Sequence, residues 1–196
     1  MDKLVLASGN RHKIAELESM LQPLGIEVIS AIDYYDDGDD DEVEEDQPDL
    51  EGNALKKARF WHQKTGFPAL ADDTGLEVNA LDGAPGVYSA RYAGEDASYH
   101  DNVLKLLLEL QDIDNRKARF RTVIALVGYR ERIFEGVCDG EITHKPRGTG
   151  GFGYDPVFRP ENFHKTFAEI STEEKNRISH RGLALKKVVD YLSQQV

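Results

Sequence analysis

Asp72 and Asp73 stand directly behind the apolar run Pro68-Ala69-Leu70-Ala71 and ahead of Thr74-Gly75. A short apolar run that ends in two acids and a glycine predicts a buried strand carrying carboxylates to the edge of a sheet, where ligands of α/β proteins bind. Two adjacent carboxylates there suit a divalent metal or a water to be activated. Hard oxygen donors favour Mg²⁺, which keeps several waters and reaches a protein through one or two carboxylates plus substrate phosphates. The same four residues also suit a helix N-cap or an Asx turn, so other parts of the chain must decide.

Three further constellations bear on that choice. Ser8-Gly9-Asn10-Arg11-His12-Lys13 lies between a predicted first strand and first helix. Backbone N–H groups at a helix N-terminus favour phosphate, and Lys13 adds a cation, although the segment is too short for a Walker A loop and also reads as a plain N-cap. Gly148-Thr149-Gly150-Gly151-Phe152-Gly153 matches G-x-G-x-x-G in form only. The fingerprint should open a helix in the first β-α-β unit, whereas Tyr154-Asp155-Pro156 follows here and Pro156 favours extended chain. Four glycines around one phenylalanine suit a backbone that approaches a flat ligand while Phe152 stacks on it, or a hairpin loop with Phe152 in the core. Lys175-Asn176-Arg177-Ile178-Ser179-His180-Arg181 opens the predicted closing helix. Cations oppose the positive end of a helix dipole, and an anion or a carbonyl-bearing ligand would offset that. No G-x-S-x-G occurs, and Cys138 lies within a strand pattern, so serine and cysteine nucleophiles are not expected.

The elements that must position these residues read as one α/β unit with a mixed sheet and helices on its faces. Lys3 to Ser8 predicts a buried strand, Lys13 to Leu21 a helix ended by Pro23 and Gly25, and Ile26 to Ile29 a second strand. Leu50 to Lys64 predicts a helix, Pro68 to Ala71 a strand, residues 83–92 a loop, and Ser98 to Gln111 a helix. Segments 119–127 and 133–138 suit an antiparallel hairpin, followed by a glycine loop, a short strand near Val157-Phe158 and a helix from about Ser179 to Leu192.

Composition limits the classes of function. The 196 residues suffice for one ordinary domain, and a single cysteine allows no intrachain disulfide. The net charge of −12 is mostly local: residues 36–46 hold nine of the 36 acids, and without them 27 acids face 24 bases, a balance of −3. A basic field that would hold a nucleic acid polymer is missing. The acidic run suits a solvated loop or a reservoir of carboxylates beside a metal site. The first residues carry neither a basic leader nor a long apolar stretch, so neither secretion nor membrane embedding is expected and a reducing cytoplasm is the expected compartment.

Taken in order, Ser8-Gly9-Asn10 with Lys13, Ala71-Asp72-Asp73-Thr74-Gly75-Leu76, residues 83–94 (GAPGVYSARYAG), Gly148 to Asp155 and Ser179-His180-Arg181 resemble the inosine triphosphate pyrophosphatase family, also called Ham1-like. The resemblance covers nearly the whole chain. It implies an elongated, two-lobed single domain with a cleft, and a cytoplasmic, Mg²⁺-dependent homodimer. It further implies hydrolysis of the purine nucleotides dITP, ITP and XTP to the monophosphate and pyrophosphate. By the same resemblance, Ser8, Gly9, Asn10, Arg11, His12 and Lys13 would hold the triphosphate, and Asp73 would be catalytic base and metal ligand. Thr74 would touch substrate. Phe152, Gly153, Tyr154, Asp155, Lys175, His180 and Arg181 would form the nucleoside pocket. A second metal-binding glutamate belongs upstream of the helix Asn53-Ala54-Leu55-Lys56-Lys57-Ala58, where Glu44 is chosen by spacing and Glu45 is the alternative. An enzyme of the related Maf type is disfavoured by the Ser179-His180-Arg181 helix start and the Phe152 loop.

Overall fold

The computed structural model describes residues 2–8, 11–31, 43–128 and 130–195, without the side chains of Arg11, His12, Lys13 and Glu16. Its strands are β1 (Lys3–Leu6), β2 (Glu27–Ser30), β3 (Ala69–Val78), β4 (Pro85–Gly86), β5 (Lys117–Val127), β6 (Arg132–Ile142) and β7 (Phe158–Pro160). The helices are α1 (Arg11–Leu21), α2 (Leu50–Thr65), α3 (Tyr99–Glu109), α4 (Thr172–Ile178) and α5 (His180–Ser193). The strands pair in the order β2-β1-β3-β5-β6-β7, with β4 on β3. β1 is parallel to β2 and β3, whereas β3–β4 and β6–β7 are antiparallel, so the sheet is mixed as expected.

The chain forms two compact units from discontinuous segments, passing between them after Asp73, Thr122, Glu135 and Leu183. In the first unit, Leu4 and Leu6 of β1, Leu17 and Leu21 of α1, Leu70 of β3, Ile124 and Leu126 of β5, and Val188 and Leu192 of α5 share one apolar cluster. Each fully buried leucine of this kind contributes about 1.5–3 kcal/mol of transfer free energy. A second cluster joins Val5, Ala69 and Trp61, which fixes α2 beside β1 and β3. The helix starts where Asp49 accepts a hydrogen bond from the Gly52 N–H at 2.7 Å and stops at Gly66, whose φ of 73° suits a residue without a side chain.

In the second unit, Phe120, Phe158 and Phe167 pack with Val103 and Leu106 of α3 and with Leu110 at its C-terminal end. Ser98 and Asp101 form a reciprocal capping box at the start of α3. Arg116 is buried here, its guanidinium donating to the carbonyls of Leu110, Ile142 and Thr143.

Two expectations need correction. The strand expected to stop at Ala71 continues through Asp72, Asp73, Thr74 and Gly75 to Val78, which removes both the strand-end placement of the acids and the N-cap or Asx-turn alternative. The helix expected to open with Lys175 is two helices: Lys175 belongs to α4, capped by Ser171, and α5 begins at His180. The hairpin strands β5 and β6 are longer than expected, and α1 starts at Arg11, so Arg11–Lys13 form its first turn. Of the acidic stretch, residues 36–42 lie outside the described residues. Among the described residues no helix is long and apolar enough to cross a membrane.

Cys138 is buried in β6, and burial followed by the charge of Asp139 pushes its thiol up to about 12. At about pH 8 the thiol is therefore protonated and a poor nucleophile. A thiol-specific disulfide reagent should leave the native protein unlabelled over minutes and label one thiol per chain after denaturation; fast labelling of the native protein would contradict this placement of β6.

Candidate active site

Successive side chains of a strand point to opposite faces, so Asp72 and Asp73 cannot act as a matched pair from one side of β3. Asp73 is buried and Asp72 only partly so. The Asp73 carboxylate, 9% exposed, meets α2: Asn53 Nδ2 donates to Asp73 Oδ2 at 3.0 Å, and Lys57 Nζ lies 3.9 Å from Oδ1. Lys57 takes Asp72 by its backbone carbonyl, at 2.7 Å. The same ammonium lies 2.5 Å from Glu45 Oε1. Asn53 and Lys57 reach β3 together because they are four residues apart on one helix face. Burial by itself would lower the Lys57 pKa, but the charges of Asp73, Glu45 and Asp72 and the hydrogen bond to Glu45 outweigh it, and the net direction is upward.

Of the two glutamates expected near this centre, Glu45 is the one brought to it. Glu44 is exposed, while Glu45 is half-buried against Lys57. Asp73 and Glu45, two hard oxygen donors gathered on one ammonium, fit a site where a divalent cation takes its remaining ligands from water and substrate phosphates. No group of three or more His, Cys, Asp or Glu side chains suited to a metal occurs among the described residues.

Ser8 is half-buried after β1 and its carbonyl accepts from Ser30 Oγ at 3.3 Å. Gly9 and Asn10 lie outside the described residues, as do the side chains of Arg11, His12 and Lys13. Ser8, Arg11–Lys13, the Glu44–Glu45 segment and Asp73 belong to the first unit, and Thr74, Phe152–Asp155, Lys175, His180 and Arg181 to the second.

In the second unit Thr74 shares a 2.7 Å hydroxyl contact with the buried Thr122. Asp155 is buried, and its Oδ2 accepts from the Phe152 N–H at 2.9 Å and from Lys175 Nζ at 2.5 Å. That carboxylate holds the glycine loop in shape. A Cβ on Gly151, whose φ is 70°, would run into the Asp155 carboxylate, so glycine is required there. Phe152 is thereby presented 49% exposed, with Lys175 Nζ 4.9 Å and the Arg181 guanidinium 5.9 Å from its ring. The alternative of a core Phe152 is therefore not the one realised. Tyr154 is buried and donates its hydroxyl to the Ser89 carbonyl at 2.9 Å, which makes it a support of the loop.

Ser179 starts α5, its Oγ accepting from the Gly182 N–H at 3.2 Å. A Cβ on Gly182 would collide with the Asn176 carbonyl, so this glycine lets α4 and α5 meet closely. His180, 6% exposed, stacks on Phe120 with ring centres 4.5 Å apart and planes at 17°. Asn53, Lys57 and Phe120 were not singled out from the sequence. The first two carried a readable signal, a polar pair at i and i+4 among Ala54, Ala58 and Trp61; the third carried none beyond strand alternation with Arg119 and Arg121.

The Ham1 family matches the chain over residues 4–191. A dITP/XTP pyrophosphatase of Flavobacterium johnsoniae is 50% identical over 194 residues, covering 97% of this chain and 98% of that protein. One from Shigella flexneri is 47% identical over 198 residues, with 98% of each chain covered. Among solved structures, a HAM1 protein from Coxiella burnetii superposes with a TM-score of 0.92 at 42% identity over 99% of this chain and 100% of that one. The Ham1 protein of Staphylococcus aureus gives 0.90 at 37% identity, with 99% and 100% covered. A match that runs from β1 into α5, at such identities and over nearly the full length of each relative, makes the chain a member of the Ham1 family.

Proposed function

We propose that this chain is a Mg²⁺-dependent nucleoside triphosphate pyrophosphatase that hydrolyses the non-canonical purine nucleotides dITP, ITP and XTP to the monophosphate and pyrophosphate, clearing them from the nucleotide pool. Its class, a hydrolase of phosphoric anhydrides, follows from membership of a family whose curated relatives bear the name dITP/XTP pyrophosphatase. The observation that carries the reaction is the Asp73 carboxylate, largely buried, held through one oxygen by Asn53 and close to the Lys57 ammonium and Glu45.

Asp73 takes the proton of a water as its oxygen bonds to the α-phosphorus; the α–β bridging bond breaks and pyrophosphate leaves. A bound Mg²⁺, held by Asp73 and Glu45 or Glu44, would supply charge neutralisation on the phosphates. The segment from Ser8 to Lys13 would supply N–H donors and cations for the triphosphate, as its residue types allow, and Thr74 a hydroxyl. Phe152 offers a face to the base, with Gly153 allowing close approach, Asp155 and Tyr154 supporting the loop, and Lys175 and Arg181 beside the ring, while His180 would complete the nucleoside pocket. Inosine and xanthine present an acceptor oxygen at the purine 6-position, where adenine presents an amino donor. A donor such as Arg181 therefore meets a partner in the first case and another donor in the second, a mismatch worth up to ~10⁴-fold in a buried site. A cytoplasmic homodimer belongs to the same proposal.

Asp73→Asn should abolish metal-dependent pyrophosphate release while leaving the melting temperature within a few degrees of wild type; unchanged turnover would remove Asp73 from its role. Arg181→Ala should narrow the preference for ITP over ATP in kcat/KM by roughly tenfold or more. An unaltered ratio would take Arg181 out of base recognition. Tight ITP binding in Mg²⁺ without product in the wild-type protein would favour a nucleotide-binding module over an enzyme.

A further inference from the structure

Asn53 is 1% exposed inside α2, where asparagine is a mediocre helix former and a buried carboxamide is costly unless both its ends are bonded. Both are. Oδ1 accepts from the Gln47 backbone N–H at 2.9 Å and Nδ2 donates to Asp73 Oδ2 at 3.0 Å. The N–H of Gln47 can only donate, so it must meet the amide oxygen, and this turns the amide nitrogen onto Asp73. The orientation of the amide is thus dictated by its partners. The Asp73 carboxylate is held by Oδ2, which sets its rotation and directs Oδ1 toward Lys57. Gln47 is also two residues from Glu45, whose carboxylate shares that lysine. One side chain therefore ties the strand acid to the segment that bears the second carboxylate. The start of α2 does not need Asn53 for this, because Asp49 already caps it.

We propose that Asn53 is a positioning residue of the hydrolytic centre, its carboxamide fixing the rotation of the Asp73 carboxylate and the placement of Glu45 beside it. This rests on the pyrophosphatase reading above. Asn53→Leu keeps the size of the side chain and deletes both hydrogen bonds. Four quantities separate positioning from packing: kcat and KM for dITP with Mg²⁺, Mn²⁺ affinity by electron paramagnetic resonance without nucleotide, and the melting temperature. The expected result is a kcat lower by roughly 10- to 100-fold, a KM for dITP within about twofold, and Mn²⁺ affinity weaker by about tenfold or more. A folded Asn53→Leu protein with wild-type kcat and Mn²⁺ affinity would overturn the proposal. So would a loss of turnover that merely follows a loss of folded protein. If Asn53→Leu does not fold, Asn53→Ser, too short to span Gln47 and Asp73, carries the same readouts. Wild-type turnover decides the underlying reading separately: a wild-type protein without dITP hydrolysis removes that reading, whereas an active wild type with an indifferent residue 53 removes the positioning role alone.

Discussion

Lys57 sets one ammonium against three groups: the Glu45 carboxylate at 2.5 Å, the Asp72 carbonyl at 2.7 Å and the Asp73 carboxylate at 3.9 Å. Two carboxylates gathered there without a cation would repel each other. At an effective dielectric of about 20, opposite charges 4 Å apart attract by about 4 kcal/mol, enough to offset much of the cost of taking the ammonium out of water. The Lys57 pKa moves upward despite its burial, which is the expression of that balance. The helix that carries the lysine is anchored by Trp61 and Ala58 and capped at both ends, so the placement of the charge follows from the packing of α2 on β1 and β3.

The second unit repeats the device with the signs exchanged. There a buried carboxylate, Asp155, orients a backbone N–H and an ammonium, and the product is an exposed aromatic ring flanked by cations. Glycine is needed where the chain passes the carboxylate at Gly151 and where α5 meets the end of α4 at Gly182, since a Cβ at either would collide with its neighbour. In both units a single charged group fixes several neighbours, and the acidic or basic residue that does so is among the least exposed of its type.

Much of this was legible before the fold was known. The apolar runs of β1 and the start of β3, the period of α3, and the turn residues that end α1 are local signals, and the structure follows them. The extension of β3 through Asp72 and Asp73 was not legible, because acids are poor strand formers and only tertiary partners, Asn53 and Lys57, make an interior acid acceptable. Helix α4 escaped for another reason: its seven residues bury none of their own side chains, so no period marks it. That Glu45 and not Glu44 reaches Lys57 was not legible, because the contact spans twelve residues and leaves no trace in spacing. Phe152 and Arg181 were legible as residue types, but the buried carboxylate behind the loop is what explains the exposure of Phe152.

The claim on which the rest turns is that water attacks the α-phosphorus of a purine nucleoside triphosphate. Turnover of dITP with Mg²⁺ in water enriched in ¹⁸O, followed by mass spectrometry of the products, tests it directly. The account expects deoxyinosine monophosphate carrying one ¹⁸O together with unlabelled pyrophosphate. Deoxyinosine diphosphate and inorganic phosphate as products, or label in the pyrophosphate, would contradict it.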